Sequence, residues 1–222
     1  MRPVLLAVLL APLAHARNEV DERRPWEAYL LLGFGSAVCD NDKPDSDCPV
    51  DGGGAFGLGG DYRFFPRWAA GLEFAAWEFK VRDSWRGQLQ AEATDVKFRS
   101  ASFSPFVRWY WFDTGGVDPY LHAGVGFGSV TAEAKNDAGR YEYSARGLTY
   151  TMGIGAEWRV SRIFRLGPQL LGYLHVSNEV CETQDGGSEE CRGPGTNPDG
   201  EREGLALPWR FVVVGTFMFG SR

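Results

Sequence analysis

The stretch YLHVSNEVCETQDGGSEEC, residues 173–191, holds the side chains that nucleophilic catalysis requires within one short segment. His175 and Ser177 stand two positions apart. A serine hydroxyl needs an adjacent base to act as a nucleophile, and that base needs an acid to orient it. The candidates for the acid are Glu189, Glu190, Glu201 and Glu203. The alternative is that His175 and Ser177 form the polar end of a strand that runs into a loop.

The elements that must position these residues are β-strands, because the hydrophobic period that recurs along the chain is two. In the segment GLTYTMGIGAEWRV, residues 147–160, apolar side chains alternate with glycine, threonine and charged residues. Alternate residues of a strand point to opposite faces, so this segment has one apolar and one polar face. Seven further segments alternate in the same way and begin at Trp26, Phe56, Ala70, Phe103, Leu121, Phe164 and Trp209. The sequence therefore predicts eight strands.

The connections between these strands alternate between short and long. The short ones are FPRW (65–68), DTGGVDP (113–119) and SR (161–162). The long ones are polar and occupy residues 39–53, 80–99, 132–146 and 177–204. Short turns at one end and long loops at the other are typical of transmembrane β-barrels. The prediction is an all-β protein, an eight-stranded antiparallel up-and-down transmembrane barrel with short periplasmic turns and long extracellular loops.

The polar face of the predicted strands combines glycine with charged side chains, whereas the other face is almost free of charge. The charged residues are Asp61, Arg63, Glu73, Arg108, Glu157, Arg159, Arg165 and Arg210. A lipid-facing surface must be apolar, but the lumen of a membrane barrel can be polar. An unpaired buried charge costs several kcal/mol, so we predict that these groups form ion pairs inside the barrel. Eight strands leave a lumen that side chains fill, which favours a structural plug over a narrow pore for small solutes.

Tryptophans give a second indication of a membrane protein. Trp26, Trp68, Trp109, Trp111 and Trp158 fall near the predicted short-turn ends of the strands. Tryptophan and tyrosine concentrate at membrane–water interfaces because their rings are partly apolar and partly polar.

The N-terminus has the pattern of an export signal. Arg2 precedes the apolar run from Val4 to Leu13, and Ala14-His15-Ala16 provides small residues at a cleavage site. The run is shorter than the roughly 20 residues that a membrane-spanning helix needs. We therefore predict a signal peptide at 1–16, a loosely ordered charged lead-in at 17–25 and the barrel at 26–219.

Composition limits the remaining function classes. The net charge of −6 and the absence of a basic cluster argue against a nucleic-acid partner. Disulfides are the default for Cys39, Cys48, Cys181 and Cys191 in an exported chain, and the local pairs 39–48 and 181–191 each close a short loop. The four aspartates between the first two cysteines could bind a divalent cation, but a solvated loop without metal is favoured, and no cofactor is predicted.

The signal peptide, the eight alternating strands, the segment PYLHAGVGFG (119–128) and the aromatic-ended last strand together resemble one known family. This is the small outer-membrane β-barrel family of Gram-negative bacteria, the OmpA/OmpX type. The resemblance implies a bacterial outer-membrane location, contact with membrane lipid and lipopolysaccharide, and insertion by the barrel-assembly machinery. We predict a monomer with a structural or surface-contact role through its disulfide-bearing extracellular loops.

A second, shorter resemblance concerns the opening stretch. His175-Val176-Ser177-Asn178, followed by Asn197-Pro198-Asp199-Gly200-Glu201, is similar to the outer-membrane lipid A deacylases. That resemblance implies Ser177 as nucleophile, His175 as base and Glu201 as the orienting acid. However, the alternation places His175 and Ser177 on the lumen face, and a deacylase must reach an acyl chain from the lipid side. The prediction is therefore a protein without catalytic activity, with the deacylase as an alternative.

Overall fold

The computed structural model describes residues 25–37, 50–81, 95–111, 116–136, 139–185, 187–195, 205–206 and 208–220. The predicted signal peptide, the charged segment 17–24, Cys39, Cys48 and Glu201 lie outside these residues. The strands are β1 Trp26–Ala37, β2 Val50–Phe65, β3 Trp68–Val81, β4 Asp95–Tyr110, β5 Val117–Asn136, β6 Gly139–Arg159, β7 Phe164–Gln184, β8 Glu190–Arg192, β9 Leu205–Ala206 and β10 Pro208–Phe219. Among the described residues, no helix is long and apolar enough to cross a membrane.

Eight of the strands close into an antiparallel ring, which confirms the predicted fold. Each strand from β1 to β7 pairs with the next one along the chain, and β10 pairs with both β7 and β1. The closing pair runs from Trp26 opposite Phe219 to Ala37 opposite Pro208. The short strands β8 and β9 pair with the part of β7 that extends beyond β10. We call the end of the ring with the short turns the lower end and the opposite end the upper end.

The two faces of the wall differ as the alternation predicts. The outward rows are apolar and exposed, as in β6, where Tyr150, Met152 and Ile154 are all about half exposed or more. The inward rows hold charged, aromatic and glycine residues. Four of the arginines among them are nearly inaccessible to solvent, at 0–2% exposure: Arg63, Arg108, Arg165 and Arg210. A bilayer requires the apolar side chains outside, and the lumen of a membrane barrel can hold the charged ones.

Inward glycines make room for long side chains. A Cβ at Gly155 would lie 2.9 Å from Cε2 of Tyr120, and a Cβ at Gly57 would lie 2.9 Å from Cδ1 of Leu31. Such glycines weaken an isolated strand. In this lumen they allow aromatic and arginine side chains to cross a narrow space.

The segment 132–146 is not the loop that the sequence predicts. Strands β5 and β6 pair without a register shift from Val117 opposite Trp158 to Asn136 opposite Gly139. The prediction is wrong because it treats a polar segment as a loop. Tyr141 and Tyr143 alternate with Glu142 and Ser144, and such a strand needs no apolar face when it stands above the bilayer. Strand β7 likewise continues to Gln184, within the predicted loop 177–204.

Candidate functional site

The lowest layer of the lumen is an ionic cluster of two arginines and two acids. Arg165 Nη1 donates to Glu27 Oε1 at 3.1 Å and lies 3.3 Å from Asp118 Oδ2. Arg63 contacts the same two acids, with Nη2 3.3 Å from Glu27 and Nη1 3.5 Å from Asp118. Each arginine therefore bridges both carboxylates, and the cluster joins β1, β2, β5 and β7 across the barrel. Its members are almost fully buried, so their charges must compensate one another.

Arg108 forms the centre of a second cluster. Its Nη1 donates to Asp61 Oδ2 at 3.2 Å and lies 3.7 Å from Glu157 Oε1, and all three side chains have 0% exposure. Its guanidinium also lies 4.4 Å from the ring centre of Tyr29 and 4.8 Å from that of Tyr120. Aromatic faces attract a cation most strongly when both are removed from water. Arg108 therefore links β4 to β1, β2, β5 and β6.

A third ion pair joins Arg210 on β10 to Glu73 on β3, and Tyr29 donates to the same carboxylate at 3.3 Å. The Arg210 guanidinium also lies 5.3 Å from the ring centre of Tyr173 and 5.7 Å from that of Trp77. Trp77 and Tyr173 contact each other edge to face, with ring centres 4.6 Å apart.

Apolar packing surrounds this third pair. The buried cluster comprises Tyr29, Leu31, Ala55, Ala75, Trp77, Phe79, Phe106, Leu171, Tyr173, Val212 and Val214. Leu31, Leu171, Val212 and Val214 have 0% exposure. Ionic layers and an apolar layer thus follow one another along the lumen. This is the filled interior of a small barrel, and the pore alternative finds no support in the described residues.

His175 and Ser177 both face the lumen, with exposures of 2% and 0%. The imidazole Nε2 donates to the carbonyl of Ala145 at 3.2 Å, and Nδ1 lies 3.1 Å from the hydroxyl of Thr149. Strand β7 contains a β-bulge at Asn178, because Arg146 opposes Glu179 whereas the next residue, Gly147, opposes Ser177. It changes the facing of β7 only above Ser177. The described residues therefore do not give the deacylase alternative a lipid-facing pair.

Above the bulge, β7 belongs to a sheet that continues past the barrel. This sheet, which we call the upper sheet, consists of Asp95–Ser100, Val130–Asn136, Gly139–Ala145, Val180–Gln184 and β8. The Cys181–Cys191 disulfide joins β8 to β7, which confirms that predicted pair. Glu179 lies beside the two cysteines in a grouping of metal-ligand type, but the disulfide occupies both sulfurs.

Ion pairs cover the outward surface of the upper sheet. Arg140 Nε lies 3.1 Å from Glu133 Oε1, and Lys135 Nζ lies 3.6 Å from the same atom. Arg146 pairs with Glu189, which precedes β8. These side chains are roughly half exposed apart from Glu133, so the surface is hydrated and carries both signs of charge.

The structure brings seven of the eight predicted lumen charges into buried clusters, and the eighth, Arg159, is only partly buried at the lower end of β6. Two members of the lowest cluster are absent from the sequence prediction. Glu27 had a usable signal, because it alternates with Trp26 and Ala28 on β1. Asp118 had none, because it stands in a segment that has the composition of a turn.

Comparison with known proteins identifies the family. The model of the family described as "Outer membrane protein beta-barrel domain" matches residues 4–180, which is well over half of the chain. The chain belongs to this family. It is therefore an outer-membrane β-barrel protein. Comparison with curated protein sequences gives no significant match.

Solved structures with the same fold come from several bacteria. A major outer membrane protein from Thermus thermophilus has a TM-score of 0.56 at 11% identity, over 86% of this chain and 99% of the other. OprG from Pseudomonas aeruginosa has a TM-score of 0.53 at 12% identity, over 91% and 100%. Ail, the attachment invasion locus protein of Yersinia pestis, has 0.52 at 14%, over 87% and 99%. At these identities the similarity shows the fold alone.

Proposed function

We propose that this protein is a non-catalytic surface-contact protein of the outer membrane and that the upper sheet makes the contact. The observation that carries the proposal is the unequal length of the strands. β5, β6 and β7 have 20, 21 and 21 residues, whereas β1 and β10 have 12. The outward apolar row of β5 ends at Phe127, so the strand continues for nine more residues, roughly 30 Å at about 3.3 Å per residue, past the lipid-facing band.

The chemistry of the upper sheet supports contact with a hydrated partner. Its outward side is charged. The Cys181–Cys191 disulfide joins its edge strand β8 to β7, and polar strands resist unfolding better when they are cross-linked. The filled lumen and the inward-facing His175 and Ser177 supply no comparable support for transport or hydrolysis.

The test is to shorten the β5–β6 hairpin. Ser129 and Arg146 pair directly, so residues 130–145 can be replaced by Asn-Gly, a favoured two-residue hairpin turn. The matched control changes only residues 137–138 to Asn-Gly and keeps the full hairpin. Cells producing equal amounts of folded protein are applied to surfaces coated with a panel of extracellular glycans and matrix proteins.

We expect cells with the control protein to bind at least one of the surfaces in the same number as cells with the wild-type protein. On that surface, at least fivefold fewer cells with the shortened protein should bind. If the shortened and full-length proteins retain cells equally well on every surface, the upper sheet is not the contact site.

A further inference from the structure

The side of the upper sheet that continues the lumen surface, which we call the inner face, carries two tyrosines. Strands β5 and β6 pair without a register shift, so Tyr141 and Tyr143 point to the same side as Thr149 lower on β6. Tyr143 pairs with Glu182 and Tyr141 with Gln184 on β7, and side chains of paired residues lie on the same face. Tyr141 is 43% exposed, so solvent reaches its ring above the mouth of the barrel.

Side-chain contacts join the tyrosines to the edge strand. Arg192 on β8 also lies on the inner face, because it pairs with Val180. Its Nη2 donates to Glu182 Oε1 at 3.5 Å. The Tyr141 hydroxyl donates to the same carboxylate, and partial burial together with this bond raises the pKa of Tyr141. Glu182 and Arg192 are 42% and 50% exposed, so a ligand can reach both side chains. We call Tyr141, Tyr143, Glu182, Gln184 and Arg192 the tyrosine platform.

The backbone around the tyrosine platform is braced at two points. The Cys181–Cys191 disulfide joins β8 to β7 on the opposite face, because both cysteines alternate with inner-face residues. At the top of the sheet, the amide of Arg140 donates to Asp185 Oδ1 at 2.7 Å, and the amide of Asp185 donates to the carbonyl of Arg140 at 2.7 Å. A site that is ordered before its ligand arrives loses less conformational entropy on binding.

The residue types of the tyrosine platform match the chemistry of an uncharged sugar. A tyrosine ring is a large, rigid surface that can pack against the C–H face of a sugar ring. The hydroxyls of a sugar both donate and accept hydrogen bonds. The Gln184 amide can do both, the Glu182 carboxylate accepts and the Arg192 guanidinium donates.

Charge and shape narrow the choice of partner. Glu190 also faces inward, because it pairs with Glu182, so two acids and one arginine stand together on the inner face of β7 and β8. The surplus of negative charge disfavours sulfated or sialylated glycans. The sheet continues the wall of an eight-stranded barrel, so its inner face is concave and narrow. A flexible oligosaccharide can follow this curvature, whereas the surface of a folded protein cannot enter it.

We propose that the tyrosine platform binds a neutral oligosaccharide. Tyr141 and Tyr143 stack on its sugar rings, and the other three side chains form hydrogen bonds with its hydroxyls. This inference rests on the proposed function, since it names the class of partner that the upper sheet contacts.

The experiment probes the full-length protein in phosphatidylcholine nanodiscs against an array of uncharged, sulfated and sialylated oligosaccharides. The variant is Tyr141→Ala. The matched control is Tyr150→Ala, which removes the same ring from the lipid-facing row of the same strand, at a similar exposure of 45%. We expect wild type and Tyr150→Ala to bind at least one uncharged oligosaccharide equally well, and Tyr141→Ala to bind it at least tenfold more weakly. High salt should leave the wild-type affinity unchanged, because the ligand carries no charge.

Further variants separate the ring from the polar groups. Tyr141→Phe keeps the ring and should retain most of the binding. If Tyr141→Ala does not give the heat-shifted gel band of a folded barrel, Gln184→Ala tests the same platform by removing an exposed amide. Equal binding by the folded platform variant and wild type overturns the inference. Preferential binding of sulfated or sialylated oligosaccharides, or no binding of any uncharged one, also overturns it.

The outcome is distinguishable from failure of the proposed function. If shortening the β5–β6 hairpin lowers cell binding but the array shows no uncharged ligand, the upper sheet makes the contact and this inference is wrong. If shortening the hairpin leaves cell binding unchanged, the proposed function is wrong, and the array still decides whether the tyrosine platform binds a sugar.

Discussion

Replacing Arg108 with methionine should destabilise the barrel more than any surface substitution of similar size. The change keeps most of the side-chain length but removes the charge that contacts Asp61 at 3.2 Å and Glu157 at 3.7 Å. All three side chains have 0% exposure, so water cannot compensate the carboxylates. Breaking a buried ion pair by removing one partner costs about 3–5 kcal/mol. We therefore expect a loss of about 4 kcal/mol in the free energy of unfolding.

The assay is equilibrium unfolding in lipid vesicles, followed by the heat-shifted gel band. Arg99→Gln is the control, because Arg99 and Glu78 are 50% and 59% exposed and such surface pairs contribute about 0–1 kcal/mol. Glu133, which lies 3.8 Å from Arg99, keeps its contacts with Lys135 and Arg140 in this variant. A triple variant, Arg108→Met with Asp61→Asn and Glu157→Gln, removes the uncompensated charges and should recover at least half of the loss. If Arg108→Met lowers the free energy of unfolding no more than Arg99→Gln does, the buried network is not a source of stability.

Three other predictions follow from the wall, the upper sheet and the lumen. A Cβ at Gly167 would clash with the carbonyl oxygen of Ala156 and lie 2.7 Å from its carbonyl carbon, so Gly167→Ala should destabilise the fold by about 1–3 kcal/mol in the same assay. Gly215→Ala is the control and should be neutral, because its Cβ would meet no atom closer than 3.5 Å. Replacing Cys181 and Cys191 with serine should speed proteolysis of the upper sheet and leave the heat-shifted band unchanged; an unchanged cleavage rate would mean that the disulfide does not brace the sheet. Cells expressing the wild-type protein should give the same lipid A mass spectrum as cells expressing Ser177→Ala. Loss of one hydroxyacyl chain from lipid A with the wild-type protein alone would contradict the assignment of Ser177 to the lumen.

The sequence predicts the barrel well because the bilayer imposes a strict alternation on each strand. The same alternation places His175 and Ser177 inside, where the structure also has them. The alternation predicts a strand only where one face of that strand meets lipid. Above the bilayer both faces of β5 and β6 meet polar surroundings, so the segment around Tyr141 and Glu142 has the polar composition of a loop. The extent of the upper sheet is therefore not predictable from hydrophobicity.

The interior partners are harder to predict than the interior positions. Alternation identifies which residues point inward, but the pairing of Arg210 with Glu73 depends on which side chains face each other across the lumen. That depends on the stagger of strands that are distant in sequence. Arg63 and Arg165 contact Glu27 and Asp118, and these contacts join strands from both ends of the chain.

The most direct test of the assignment of inside and outside is a spin-label scan through the upper half of β7. The label is attached to single cysteines that replace, one at a time, Leu174, His175, Val176 and Ser177, and the native cysteines are replaced by serine. The labelled protein is inserted into lipid vesicles, where collision of the label with oxygen reports contact with the hydrocarbon. We predict high oxygen accessibility at 174 and 176 and low accessibility at 175 and 177. The opposite pattern would mean that β7 is displaced by one residue. His175 and Ser177 would then face the lipid, as a deacylase requires.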